Sequence, residues 1–330
     1  MRAREKVLVI GGAGYAGVRL VPALLDKFDV RVLDTFWYGK ESFTKVQFEQ
    51  GLELAPCDIR QLEIVKEQLR GIDVVIHLAC ISNDPSFDLD PNLGKSINLS
   101  SFEPIVKLSR NSGVKRFVYA SSSSVYGIKS EERVTEDLAL EPLTDYSRFK
   151  AECENLLFEN TSSDFIGTVL RPATLCGYSE RQRFDLVVNI LTNHAINEKK
   201  IKIFGGEQFR PNLHIEDMVD AYVHVITQPV DKVKDEVFNV GGPNLTINEI
   251  ADIVSKVTGV SRLEYHDTND PRSYRVDSTK IERALGFKPI RSVKNAVEDL
   301  LKAFELGLFY RSLENPTYFN IKRMKELAIS

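Results

Sequence analysis

The sequence predicts an α/β protein built on a doubly wound parallel sheet, with a smaller α/β lobe toward the C-terminus. Short runs of β-branched residues alternate with longer helical patterns up to about residue 170. Such alternation is typical of parallel strands joined by crossover helices. A glycine-rich turn follows the first run, and the alternation ends after Pro172. The 330 residues suffice for one large α/β domain or two unequal lobes.

Six short apolar runs in the first half predict the strands of the main sheet. They cover residues 7–10, 30–33, 52–55, 74–78, 116–120 and 165–170. Helical patterns lie between them near residues 61–69, 97–112 and 145–161.

The turn after the first strand has the spacing G-x-x-G-x-x-G, formed by Gly11, Gly14 and Gly17. We interpret Gly11 as the residue of the tight turn, Gly14 as the point where the backbone approaches a pyrophosphate, and Gly17 as a close helix–strand contact. Asp34 follows the second strand, where a carboxylate accepts hydrogen bonds from an adenosine ribose. Because that carboxylate would repel a 2′-phosphate, these residues favour NAD over NADP and predict a Rossmann-type fold.

The second half changes its rhythm. Helices are predicted at 185–196, 215–226, 247–257, 278–285 and 292–305, and strands at 201–204 and 237–240. The strand at 237–240 reads as one more core strand. We therefore predict a nucleotide-binding domain over residues 1–173 with a returning segment at about 214–243. The second lobe then comprises residues 174–213 and 244–330.

Composition limits the class of partner and compartment. The formal net charge of −4 indicates no basic face for nucleic acid. The N-terminal residues resemble no signal peptide, and no apolar run approaches the length of a membrane span. The four cysteines show no C-x-x-C spacing. We therefore expect a cytoplasmic protein with reduced thiols, without a metal site and without membrane contact.

Tyr146 and Lys150 are four residues apart, which places a phenol and an ammonium on one face of a helix. A neighbouring cation lowers the pKa of a phenol and makes it a usable general base. The same spacing recurs at Tyr318 and Lys322, in a terminal segment where we expect Tyr318 to serve packing or the surface.

Four serines follow the fifth predicted strand, at positions 121–124. They could form a polar loop or cap a turn, but side chains at the carboxyl ends of parallel strands line the ligand crevice. We select Ser122, four residues before Tyr126, as the hydroxyl that bridges the substrate oxygen and Tyr146.

Together these motifs make the chain similar to the NAD-dependent epimerase/dehydratase family, the extended branch of the short-chain dehydrogenase/reductases that acts on nucleotide sugars. The resemblance covers nearly the whole chain. It is carried by Asp34 and by the segments 11–17, 58–60, 77–79, 121–127, 146–150, 171–172 and 238–242.

The resemblance implies roles for further residues. The cofactor site would also include Tyr15, Ala16, Asp58, Ile59, Leu78, Ala79, Tyr146, Lys150 and Pro172. Within it, Asp58 and Ile59 would meet the adenine and Lys150 the nicotinamide ribose. The substrate site would include Ser123, Ser124, Thr174, Arg183, Arg210 and Arg272. Arg210 and Arg272 would bind the diphosphate of a nucleotide sugar, whereas Arg181 or Arg183 could face phosphates or Arg183 could pair with a surface carboxylate.

One departure from the family narrows the reaction. Its 4,6-dehydratases carry Thr-Asp-Glu where this chain has Ser122, Ser123 and Ser124. Because elimination of water needs a positioned acid and base, dehydration is disfavoured. We predict an NAD-dependent epimerase acting at C4 of a nucleoside-diphosphate hexose through a 4-keto intermediate.

Other readings stay open. The chain could be a C4 dehydrogenase that releases its keto sugar, or an epimerase at C2, C3 or C5. A 4,6-dehydratase or a nonenzymatic NAD-binding protein is less favoured by the residues. If the chain follows its relatives, the helices near 97–112 and 145–161 would form a homodimer interface.

Overall fold

The computed structural model describes residues 4–82, 84–268 and 272–327. Twelve strands form within these ranges. They are β1 (Lys6–Ile10), β2 (Asp29–Asp34), β3 (Leu52–Pro56), β4 (Val74–His77), β5 (Arg116–Ala120), β6 (Ile166–Pro172), β7 (Thr174–Cys176), β8 (Ile201–Phe204), β9 (Phe209–His214), β10 (Glu236–Val240), β11 (Asn244–Thr246) and β12 (Leu263–His266).

The described residues also form fourteen α-helices. They are α1 (Gly17–Leu25), α2 (Lys45–Glu49), α3 (Leu62–Gln68), α4 (Asp84–Phe87), α5 (Pro91–Lys95), α6 (Phe102–Asn111), α7 (Asp145–Glu159), α8 (Val187–Glu198), α9 (Ile215–Thr227), α10 (Val230–Val233), α11 (Ile247–Thr258), α12 (Thr279–Leu285), α13 (Val293–Glu305) and α14 (Asn320–Leu327). A π-helical segment covers Ser96–Ser100, and 3₁₀ turns cover Ser123–Tyr126 and Pro316–Tyr318. None of the helices in the described residues has the length and apolar character that a bilayer span requires.

The main sheet is parallel and has the order β3-β2-β1-β4-β5-β6-β10 among the described strands. Its order runs outward in both directions from β1, so the chain reverses its direction of travel between β1 and β4. Ligands of doubly wound sheets bind in the crevice at that point, outside the carboxyl ends of the strands. The predicted Rossmann-type fold class is confirmed, and each of the six predicted strands is present.

Helices cover both faces of this sheet. Leu20 and Leu24 of α1 join Ala221 and Val225 of α9 in the apolar cluster on one face. The cluster on the other face includes side chains of α3, α6 and α7, such as Val65, Ile105 and Leu157. Strands buried on both sides read as nearly continuous apolar runs, which explains why the sequence revealed them.

A smaller lobe is built from the C-terminal half. β9 pairs with β7 in parallel and with β11 in antiparallel orientation, and β8 pairs with β12. A third apolar cluster joins α8, α11 and α13 beneath these strands, with Val188, Ile250 and Val297 buried in it. β10 returns from this half to the edge of the main sheet. The exact division into domains stays a prediction.

Candidate active site

The glycine turn between β1 and α1 lies at the point where the chain reverses direction. Gly11 has a φ of +84°, and a Cβ there would lie 2.5 Å from the backbone nitrogen of Ala79. A Cβ on Gly17 would lie 2.4 Å from the carbonyl oxygen of Gly12. Both positions therefore exclude a side chain, and the turn brings the N-terminus of α1 to the crevice beside β4.

Asp34 ends β2 at the same edge of the sheet. Its carboxylate accepts hydrogen bonds from the backbone N–H groups of Ala13, at 2.9 Å, and Phe36, at 2.8 Å. Burial raises the pKa of Asp34, while these hydrogen bonds and the charge of Arg181 act in the opposite direction. The carboxylate is thus tied to the glycine turn and faces the crevice.

One cavity joins most of the residues expected to contact the cofactor; Tyr146, Lys150 and Pro172 are not among its lining residues. Ten of them line it: Gly11, Gly14, Tyr15, Ala16, Gly17, Asp34, Asp58, Ile59, Leu78 and Ala79. The lining also contains Arg183, which we had placed with the substrate, and Arg181. Sequence reasoning missed the remaining lining residues, among them Trp37, Tyr38, Ser82, Asn320 and Met324. No motif in the sequence signals them.

Helix α7 carries the Tyr146 and Lys150 pair. Thr144 caps it, because its Oγ1 accepts a hydrogen bond from the N–H of Ser147 at 3.3 Å. The helix therefore begins at Asp145, and Lys150 follows Tyr146 by one turn. Lys150 is buried, and its Nζ lies 5.9 Å from the centre of the Tyr146 ring. The predicted phenol–ammonium pair is thus formed on one face of the helix.

The serines lie in the 3₁₀ turn that follows β5, and α7 packs against this turn. The Oγ of Ser122 accepts hydrogen bonds from the backbone N–H of Ser124, at 3.1 Å, and from its hydroxyl, at 2.9 Å. Ser123 is buried with its hydroxyl 3.3 Å from that of Tyr274. Ser122 is the most accessible of the three, although the hydroxyls of all three make hydrogen bonds within the protein.

A buried ion pair supports the turn from behind. Arg171, near the end of β6, donates to both carboxylate oxygens of Glu154 on α7, with Nη2 2.6 Å from Oε2. Its Nη1 donates to the hydroxyl of Tyr126 at 2.8 Å, and Ser121 donates to Glu154. This network joins β5, β6 and α7, and so fixes the backbone on either side of Ser122.

The other candidates lie outside the lining of that cavity. Thr174 pairs with Asn212 between β7 and β9, and Pro172 ends β6 beside Val240. Arg210, on β9, donates to the side chain of Gln208 at 3.0 Å and to the carbonyl oxygen of Arg272. Arg210 and Arg272 are therefore neighbours, although they are far apart in the sequence.

The cavity suits a dinucleotide in its chemistry. A side-chain-free turn at the N-terminus of α1 fits a pyrophosphate, and the Asp34 carboxylate fits the hydroxyls of a ribose. The buried guanidinium atoms Nε and Nη1 of Arg181 and Nη2 of Arg183 lack hydrogen-bond partners, and both side chains line the cavity. Such groups fit an anion such as the diphosphate of NAD.

Comparison with known proteins agrees with this geometry. Residues 7–241 match the model of the NAD dependent epimerase/dehydratase family. The chain is 32% identical over 309 residues to UDP-glucose 4-epimerase of Lactobacillus helveticus, a match that covers 86% of this chain and 92% of the relative.

Solved structures give the same picture. The Thermotoga maritima UDP-glucose 4-epimerase, solved with UDP-glucose, superposes with a TM-score of 0.82 at 25% identity, covering 92% of this chain and 100% of that one. The UDP-glucuronic acid 4-epimerase of Bacillus cereus, solved with UDP-glucuronic acid and NAD, has a TM-score of 0.82 at 26% identity. That match covers 91% of this chain and 99% of the other.

The family includes epimerases and dehydratases, so membership alone leaves the reaction open. The family is NAD dependent, and the two solved relatives share the fold described above. On sequence, fold and cavity together, this chain belongs to the NAD-dependent epimerase/dehydratase family.

Proposed function

We propose that this chain is a nucleotide-sugar epimerase that inverts C4 of a nucleoside-diphosphate hexose through a 4-keto intermediate. The observation that carries the proposal is the arrangement at the end of β5. Helix α7, with Tyr146 and Lys150, packs there against a turn whose polar side chains are serines rather than carboxylates. The 4-epimerases among the relatives support the same reaction.

The side chains would act in the following order. The Tyr146 phenolate accepts the proton of the C4 hydroxyl, and the Ser122 hydroxyl donates a hydrogen bond to the same oxygen. When bound, NAD supplies the group that takes the C4 hydride and later returns it. Lys150 stabilises the phenolate by its charge. After the keto sugar turns over in the cleft, Tyr146 gives the proton back and the opposite face of C4 is reduced.

Dehydration is the less suitable reaction here. Loss of water from a 4-keto sugar needs a base and an acid beside C5 and C6. This chain has Ser123 and Ser124 where the 4,6-dehydratases of the family carry Asp and Glu. Their hydroxyls hydrogen-bond to Tyr274 and Ser122, respectively. A serine hydroxyl is also a far weaker acid and base than a carboxyl group at neutral pH.

The proposal also includes roles for the residues that would bind the substrate. We assign the diphosphate of the nucleotide sugar to Arg210 and Arg272, which are neighbours in the structure. We assign sugar contacts to Thr174, beside the end of β6.

We also retain the homodimer, built on α6 and α7, and a cytoplasmic location as predictions. Sedimentation at micromolar concentration tests the dimer, and a monomer would contradict it.

The function is tested by mass spectrometry of products formed from a panel of UDP-, dTDP- and GDP-sugars with NAD in deuterated water, followed by identification of the sugar. An isomer of unchanged mass without deuterium supports C4 epimerisation, because the transferred hydride never exchanges with solvent. A product lighter by two hydrogens would make the protein a C4 dehydrogenase. Loss of water would make it a dehydratase, and deuterium uptake would place the reaction at a carbon beside the ketone.

A further inference from the structure

Two arginines form an unusual buried pair in the cofactor cavity. Arg181 and Arg183 lie between β7 and α8 and are only 6% and 9% exposed. Burial lowers the pKa of Arg181 to about 10, so its guanidinium is still charged at neutral pH. A buried charge is costly unless it is paired. The partners of these two side chains therefore indicate what the site binds.

The hydrogen bonds that Arg181 and Arg183 make within the protein do not use all of their guanidinium N–H groups. Arg183 donates to Asp185 at 2.8 Å and to the hydroxyl of Ser82 at 3.2 Å. Arg181 donates to the Oδ1 of Asn320 at 2.6 Å and lies 3.6 Å over the ring of Tyr38. Three buried guanidinium nitrogens, Nε and Nη1 of Arg181 and Nη2 of Arg183, have no hydrogen-bond partner.

The carboxylates near the two arginines do not pair with both of them. Asp185 pairs with Arg183, and its second oxygen accepts the N–H of Asn320 at 3.2 Å. Asp34 is close enough to Arg181 for their charges to interact, but the side-chain hydrogen bond of Arg181 goes to Asn320 and not to Asp34. The N–H groups of both arginines that have no partner can therefore donate hydrogen bonds to an anionic ligand with several oxygen atoms.

We propose that Arg181 and Arg183 bind the diphosphate of the dinucleotide, which also lies against the glycine turn. A diphosphate offers the oxygens that guanidinium groups bind in bidentate fashion. Both arginines share one cavity with Gly11, Gly14 and Asp34. Arg210 and Arg272, assigned to the substrate diphosphate, do not line that cavity in the described part of the chain. The cofactor is therefore the better source of the anion.

The C-terminal segment Pro316–Leu327 holds this pair and bridges the two lobes. Asn320 accepts from Arg181 and donates from its amide to the hydroxyl of Ser82 at 2.8 Å. Arg323 donates to the carbonyl oxygen of Trp37 at 2.7 Å, and Met324 is buried in a cluster of the main domain. The segment therefore closes one side of the cavity, and the dinucleotide should leave slowly while these contacts persist.

The chain offers a direct probe of binding, because its single tryptophan, Trp37, lines the cavity. We would strip the purified protein of nucleotide and follow Trp37 fluorescence during titration with NAD, and separately with adenosine. Arg181→Met and Arg183→Met should each weaken NAD binding by about 10- to 100-fold. Adenosine, which has no phosphate, should bind as it does to the unsubstituted protein. Arg262→Met serves as the control, since Arg262 is an exposed arginine paired with Glu264.

A second variant and a second ligand keep the test decisive. Asn320→Ala leaves both charges in place, and we expect it to speed NAD release in stopped-flow measurements. Unchanged NAD affinity in both arginine variants would overturn the proposal. Weaker binding of UDP-glucose to the NAD-loaded protein, with NAD affinity unchanged, would assign the pair to the substrate instead. Because these measurements need no turnover, they stand apart from the test of the epimerase reaction.

Discussion

The ammonium group of Lys150 donates a 2.6 Å hydrogen bond to the carbonyl oxygen of Ala120. Ala120 is the last residue of β5, so the bond ties α7 to the strand that leads into the serine turn. Lys150 also lies 4.9 Å from the centre of the Tyr119 ring. These contacts hold the charge of Lys150 on the Tyr146 side of the helix.

Replacing Lys150 by Met should lower turnover by about 10²- to 10³-fold. Without the cation the phenol of Tyr146 holds its proton more firmly, so the pH–rate profile should move to higher pH. Lys322→Met is the matched control, because Lys322 belongs to the second Y-x-x-x-K sequence and binds the carbonyl oxygen of Leu313. A pH–rate profile that stays in place in the Lys150 variant would contradict the role.

Tyr146→Phe should abolish most of the activity, by about 10²- to 10⁴-fold, because no other group is proposed to take the C4 proton. NAD binding, followed by Trp37 fluorescence, should remain. Tyr318→Phe should be nearly silent, since the Tyr318 ring packs against Phe184 and Phe309. Near-normal turnover in the Tyr146 variant would show that the base has been assigned wrongly.

The fold could be predicted well because its strands are buried on both faces and its helices are amphipathic. The strands of the smaller lobe were harder to see. β7 and β11 have three residues each, and β9 contains Pro211 and Arg210 within its six residues. Runs this short or this polar carry no clear period, and only tertiary pairing makes them strands.

The candidate site likewise has one part that could be predicted from the sequence and one part that could not. The glycine turn follows β1 directly and Asp34 is the last residue of β2, so local sequence fixes their position at the crevice. The contact between Arg181 and Asn320 joins residues 139 positions apart. No local pattern encodes such a contact. We expected Tyr318 to serve packing or the surface, and the segment that contains it also supplies Asn320 to the cavity lined by Gly11 and Asp34.

Asp34→Ala should relax the preference for NAD over NADP by at least about 10-fold. The carboxylate would repel a 2′-phosphate and pair with a free 2′-hydroxyl, and alanine does neither. The ratio of the two dissociation constants, measured by Trp37 fluorescence, is the appropriate readout. Asp29→Ala is the control, because Asp29 begins the same strand at its other end and its side chain is 45% exposed. An unchanged ratio would mean that the ribose lies elsewhere.

Glu154→Gln should lower the free energy of unfolding by about 3–5 kcal/mol, because it leaves the Arg171 charge buried without a counter-ion. The side chains of both residues are almost fully buried, at 6% exposure for Arg171 and 4% for Glu154. Glu152→Gln, an exposed position on the same helix, should change stability by less than about 0.5 kcal/mol. Urea denaturation at pH 7.5 distinguishes the two; equal stabilities would show that the ion pair is not important for folding.

We expect His77 to make the stability of the protein sensitive to acid. It ends β4, packs against Phe102 at 5.3 Å between ring centres, and has no hydrogen-bond partner on either ring nitrogen. Burial, assisted by the charge of Lys150, lowers the pKa of His77 to about 3 in the folded protein. An unfolded chain would have a histidine pKa near 6.5.

Between these two values the unfolded state binds a proton that the folded state does not, so the free energy of unfolding falls as the pH is lowered. His77 contributes at most about 1.4 kcal/mol of this loss per pH unit below about 6.5, and nothing further below about pH 3. His77→Leu should therefore lose less stability between pH 7 and pH 5 than the unsubstituted protein, measured by urea denaturation. His266→Gln, at an exposed histidine, should leave that loss unchanged. If His77→Leu showed the same loss as the unsubstituted chain, the acid sensitivity would arise from other groups.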